Sequence, residues 1–175
     1  MENDERYSDS ARYSDSATLS GQLRYMILRR AEELPFPVRK VADIIGIQYQ
    51  ILFRFLDDAE GEHGVETPTI QLLWAGLHLC IYLDTGGRKF GRGSGLFTFS
   101  DQLRSAIRQC GLRPSLIAKG TAISLSVLCL FLSGKRNGLS MGAYDRLWVY
   151  LGLHIGVEAY GDSSHGTHLP DDLPF

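Results

Sequence analysis

The sequence lacks an apolar run long enough to cross a bilayer. Apolar runs such as Leu77-His78-Leu79-Cys80-Ile81-Tyr82 break off well short of the roughly 20 residues a membrane span requires. Paired cysteines are also missing: Cys80, Cys110 and Cys129 are odd in number and have no paired spacing. This excludes a disulfide framework and predicts reduced, mostly buried thiols in a reducing compartment. The acidic start Met1-Glu2-Asn3-Asp4-Glu5-Arg6 has no apolar segment behind a basic one, the opposite of a secretory leader. A cytoplasmic protein without a membrane partner is expected. The five histidines form no His-x-x-x-His pair, so no metal site is proposed, and His165 and His168 read as solvated tail residues. Gly91-Arg92-Gly93-Ser94-Gly95 lacks the Gly-Lys-Ser/Thr ending of a phosphate loop. No combination of nucleophile, base and orienting group stands out, so neither enzyme activity nor a cofactor is expected.

The chain has 175 residues, 44% of them hydrophobic and 22% charged, values typical of globular proteins. The formal net charge of −2 hides a strong asymmetry. Residues 1–17 carry two basic and five acidic groups, residues 18–85 six and nine, residues 86–157 ten and two, and residues 158–175 none and four. A basic block flanked by acidic segments is the electrostatic footprint of a polyanion-binding surface, or else a solvated basic face.

Residues 6–17 repeat Arg-Tyr-Ser-Asp-Ser-Ala with too little apolar mass to fold, so 1–17 and 158–175 read as disordered acidic tails. Residues 85–97 read as a basic linker whose glycines deny it a regular element. The two remaining blocks, 18–84 and 98–157, resemble each other. Gln22-Leu23-Arg24 with Ile27 matches Gln102-Leu103-Arg104 with Ile107, and Ala42 and Ile47 match Ala118 and Ile123. Phe55-Leu56 matches Phe131-Leu132, and Leu73-Trp74 matches Leu147-Trp148. Four helices per block satisfy the pattern, in the second block at about 100–110, 114–120, 124–133 and 140–152. Pro114 suits a first turn, Ser124 an N-cap and Gly134 a left-handed helix end. Trp74 and Trp148 read as core anchors of the fourth helices. No strand is evident, and the expected fold class is all-α: two tandem bundles of four to five helices.

The run Leu112 to Ser124, then Phe131-Leu132-Ser133-Gly134-Lys135-Arg136, Asp145-Arg146-Leu147 and Leu151-Gly152-Leu153 resembles the Cro and phage-repressor type of helix-turn-helix, the xenobiotic-response-element family. Val41-Ala42-Asp43-Ile44-Ile45-Gly46-Ile47 through Arg54-Phe55-Leu56 is similar, though the second block is closer in its flanking motifs. The resemblance implies lambda-repressor-like bundles in which the third helix reads the major groove of double-stranded DNA. It puts Ala42 and Ala118 where the second helix crosses the third, and Gly46, replaced by Ala122 in the second block, in the turn between them. In the first block the base-reading side would be Tyr49, Gln50, Phe53 and Arg54, flanked by Ile51. In the second it would be Leu125, Ser126, Cys129 and Leu130, flanked by Val127, with Leu128, Phe131 and Leu132 facing inward. Of these four, Ser126 alone offers a hydrogen-bonding reader. Phosphate contacts would come from Arg88, Lys89, Arg92, Arg113, Lys119, Lys135 and Arg136. The resulting expectation is a DNA-binding transcriptional regulator. The alternative is an interaction or oligomerisation scaffold of the same fold, meeting a protein partner or a second copy through Leu125, Cys129 and Leu130.

Overall fold

The structure, a computed structural model, describes residues 16–57, 64–83 and 88–158. The expected tails fall outside these residues, apart from Ser16, Ala17 and Glu158.

Each block begins on a threonine cap. Thr18 accepts from the Gly21 N–H at the head of α1 (Leu19–Glu32), and Thr98 accepts from the Asp101 N–H at the head of α5 (Phe99–Gln109). Proline then opens the second helix of each block, α2 (Pro37–Ile45) and α6 (Pro114–Thr121), where a missing N–H costs nothing. Three-residue turns, 46–48 and 122–124, lead into α3 (Tyr49–Asp57) and α7 (Leu125–Leu132), the latter capped by the Ser124 hydroxyl. The fourth helices are α4 (Thr67–Gly76) and α8 (Met141–Leu151). All four helices of the second block fall within one residue of the positions read from sequence. No helix among the described residues is long and apolar enough to cross a membrane.

The all-α expectation is overturned. β1 (Leu79–Leu83) follows α4, β3 (Leu153–Val157) follows α8, and both join β2 (Lys89–Phe90) in an antiparallel sheet of order β2-β1-β3. β1 was hidden because four of its five residues are buried, Tyr82 being the exception. It therefore reads as a short continuous apolar run rather than as an alternation. β3 does alternate, with Leu153, Ile155 and Val157 separated by His154 and Gly156. The segment expected to lack regular structure also contributes: after β2, Arg92–Ser94 forms a single 3-10 turn. Gly91, Gly93 and Gly95 open, fill and close that turn, directly after a strand whose Phe90 is buried.

The two blocks share one continuous hydrophobic core, running from Leu19 and Leu23 through Trp74 and Phe99 to Trp148 and Leu153. They interlock through equivalent residues. The Trp148 indole N–H and the Ile155 N–H both donate to the side-chain oxygen of Gln22, at 3.1 and 2.8 Å. The Trp74 indole N–H and the Ile81 N–H do the same to Gln102, at 3.0 and 3.2 Å. Each glutamine of the Gln-Leu-Arg match thus satisfies an indole and a strand N–H in the other repeat. The Ser20 N–H and hydroxyl grip the Asp145 carboxylate at 2.7 and 2.8 Å, and at the matching place the Gln71 amide donates to Ser100 at 3.2 Å.

The strand register completes the pattern. β1 pairs with β3 from Leu79↔Val157 to Leu83↔Leu153, with Ile81 opposite Ile155 at the centre. Since 81 and 155 are equivalent positions, the repeats are related by a local twofold axis between these two residues, the arrangement of an isologous dimer. The axis also crosses an open groove lined by Gly64–Pro68 of one repeat and the equivalent Gly138–Gly142 of the other. There the backbones come so close that a Cβ on Gly64 would lie 2.6 Å from the Met141 Cβ, and one on Gly138 would collide with Thr67. Side chains are excluded at both positions for the same reason. One end of α4 and α8 opens on this groove and the other leads into the sheet. Groove and sheet are therefore separated by the length of those helices, about 15 Å.

Candidate nucleic-acid interface

In each repeat an arginine of the first helix holds the third. The Arg24 Nε–H donates to the Phe55 carbonyl at 2.8 Å, with its guanidinium 4.5 Å from the centre of the Phe55 ring. The Arg104 Nε–H donates to the Phe131 carbonyl at 2.7 Å, 4.8 Å from the Phe131 ring. Arg104 also donates to the Arg136 carbonyl at 3.1 Å, and Arg108 donates to the Leu132 carbonyl, fastening the exit from α7. These arginines position the third helices. Sequence reasoning matched Arg24 to Arg104 without seeing this role. The signal was their place in the repeated Gln-Leu-Arg triplet, next to the glutamine that clasps the other repeat.

The turns into the third helices are equivalent but not equally comfortable. Gly46 ends α2 at φ 80°, ψ 30°, and Ala122 ends α6 at φ 53°, ψ 30°. Both are left-handed, a conformation that costs an alanine roughly 1–2 kcal/mol. Ala122 keeps the turn geometry regardless, because Ile123 is buried in the core and its N–H is bonded to the Ala118 carbonyl at 3.2 Å. Ala42 and Ala118 are both buried at the foot of their helices.

α3 buries Leu52, Phe55 and Leu56 and turns Gln50 and Arg54 to solvent. Tyr49 and Phe53 are half-buried, their rings 5.7 Å apart, with the Arg39 guanidinium 5.0 Å from the centre of the Tyr49 ring. These two aromatics therefore form a shelf beside the exposed amide and guanidinium. α7 buries Leu128 and Phe131 and leaves Leu132 half-buried. Its outward side carries Leu125, 46% exposed, and Leu130, 43% exposed, together with exposed Ser126 and Cys129.

Of the seven expected phosphate contacts, Arg113 caps α6, Lys119 lies on α6, and Lys135 and Arg136 follow α7; all four are exposed around the second helix-turn-helix. The Arg136 side chain donates to the Gly138 carbonyl at 2.9 Å, at the edge of the groove. Arg88, Lys89 and Arg92 are exposed as well. However, they sit on and beside β2, at the sheet end, and the structure does not bring them to the third helices.

The groove floor is tied across the repeats. The Tyr144 hydroxyl lies 2.8 Å from Thr67 Oγ1 and accepts from the Leu139 N–H at 2.9 Å, and burial pushes its pKa up. Burial also raises the Cys80 thiol pKa, whereas Cys129 is exposed. The described residues contain no group of three His, Cys, Asp or Glu side chains placed to hold a metal ion.

Comparison of the chain with family models, with curated proteins and with solved structures returned no match.

Proposed function

We propose that this chain binds double-stranded DNA through two helix-turn-helix units of the Cro and phage-repressor type, joined as a single-chain pseudo-dimer, and acts as a cytoplasmic transcriptional regulator. One observation carries the reading. Both third helices keep an outward face free of the core, and each leads within seven residues into the groove on the local twofold axis. Groove-reading dimers need such an arrangement, with two recognition helices flanking one end of a twofold. The exposed cations Arg113, Lys119, Lys135 and Arg136 supply phosphate contacts on one side. Gln50 and Arg54 supply hydrogen-bonding readers on the other.

The test is fluorescence anisotropy of the full chain on random-sequence duplexes across a salt series. Binding is expected at low salt, with log affinity falling by about 0.9 per phosphate neutralised per log unit of salt. Arg54→Ala is expected to cost about 1–3 kcal/mol on a preferred sequence while leaving helicity intact. Absence of duplex binding at low salt overturns the proposal. If, in addition, Leu130→Glu abolishes a self-association seen by sedimentation, the exposed Leu125, Cys129 and Leu130 face is a protein-interaction surface instead.

A further inference from the structure

We infer that the duplex taken by this chain is asymmetric: one half-site read by hydrogen bonds to α3, the other held at its phosphates by the second repeat, with one chain per site. This rests on the DNA-binding reading above and specifies its ligand.

The Ile81↔Ile155 register and the paired Gln22–Trp148 and Gln102–Trp74 bonds assemble both halves within one polypeptide. No second copy is needed to complete the pair of third helices. In a dimer of identical chains any side chain presented to one half-site is presented to the other, and the preferred site is a palindrome. Here the two outward faces differ at every position.

On α3, the exposed Gln50 amide has the donor and acceptor spacing to bridge N6 and N7 of adenine, and the exposed Arg54 guanidinium can fork onto O6 and N7 of guanine. On α7, the equivalent positions are Ser126 and Leu130, flanked by Leu125 and Cys129. Leucines contribute contact with the C5 methyl of thymine and nothing that separates the other bases. The charges are distributed in the opposite sense. Residues 113–136, from the cap of α6 to the exit of α7, carry four basic groups and no acidic one, whereas residues 37–57, spanning α2 and α3, carry three against two. Lys119, Lys135, Arg136 and Arg113 therefore anchor the backbone of the half-site that α7 leaves unread, and the first repeat contributes discrimination with little charge.

The experiment is selection from a pool of duplexes with a randomised 24-base-pair window, using the full chain, followed by sedimentation on the selected duplex. Base preference confined to one half-site of a few base pairs, with at most a thymine preference one helical turn away, and one chain per duplex are expected. Gln50→Ala and Arg54→Ala should each flatten the preference, the latter by on the order of tenfold. Lys119→Ala and Lys135→Ala should weaken all sequences alike and each lower the salt slope by about one. All four side chains are exposed, so folding is checked simply by circular dichroism. A palindromic selected site, two chains per duplex, or a lysine variant that changes base preference overturns the inference but leaves DNA binding standing. Failure to bind any duplex at low salt overturns both.

Discussion

α3 and α7 occupy equivalent places and have kept different things. Their inward residues are the same three side chains, Leu52, Phe55 and Leu56 against Leu128, Phe131 and Leu132. The outward residues Tyr49, Gln50, Phe53 and Arg54 face Leu125, Ser126, Cys129 and Leu130, with no identity among them. The devices that join the repeats are likewise paired, glutamine to tryptophan twice and close glycine approach twice, and within each repeat an arginine holds a third-helix carbonyl. The internal duplication has thus kept what holds each half together and what joins it to the other, and has left the solvent face unconstrained.

The strongest way to break this comparison is through the clasp. Gln22→Leu and Gln102→Leu each strip an indole N–H and a strand N–H of their shared acceptor. Each should lower stability by about 3 kcal/mol in urea unfolding, within a single transition. Two separate transitions would show that the halves fold independently, contrary to the shared core. Next come the groove glycines. Gly64→Ala and Gly138→Ala force the repeats apart on the axis and should each cost about 2 kcal/mol by thermal unfolding; a neutral result at both would remove the close approach from the description. The turns test an asymmetry. Ala122→Gly should stabilise by about 1 kcal/mol and Gly46→Ala destabilise by a similar amount in the same assay. Equal signs would mean that the left-handed geometry is not shared. The smallest effect is kinetic: with a thiol reagent at neutral pH, Cys129 should react first, and Cys80, buried and with its pKa raised, should wait on unfolding.

What the sequence disclosed was local. Pro114, Ser124 and Gly134 mark helix ends through their own backbone chemistry, which is why the helices of the second block could be read to within a residue. The buried tryptophans followed from helix periodicity. The sheet did not, because β1 finds its partner 74 positions along the chain in β3, and five apolar residues carry no sign of what they pair with. The roles of Gln22 and Gln102 were hidden for the same reason: a buried amide is recognisable only beside the indole and strand N–H groups it serves. Of the candidate site, the outward face of each third helix followed from the family resemblance, which assigned the base-reading positions. The exile of Arg88, Lys89 and Arg92 to the sheet end was not, since nothing within 85–97 announces that β2 adds to an edge.

The antiparallel ribbon of β1 and β3 is formed within a single molecule, and this bears on behaviour at low abundance. Free subunits of a two-chain regulator separate on dilution, and occupancy of their site then falls with the square of concentration. Halves tethered in one chain meet at an effective concentration on the order of millimolar whatever the protein level. Assembly of the two halves therefore does not depend on protein level, and a dilute solution of this chain still holds complete pairs.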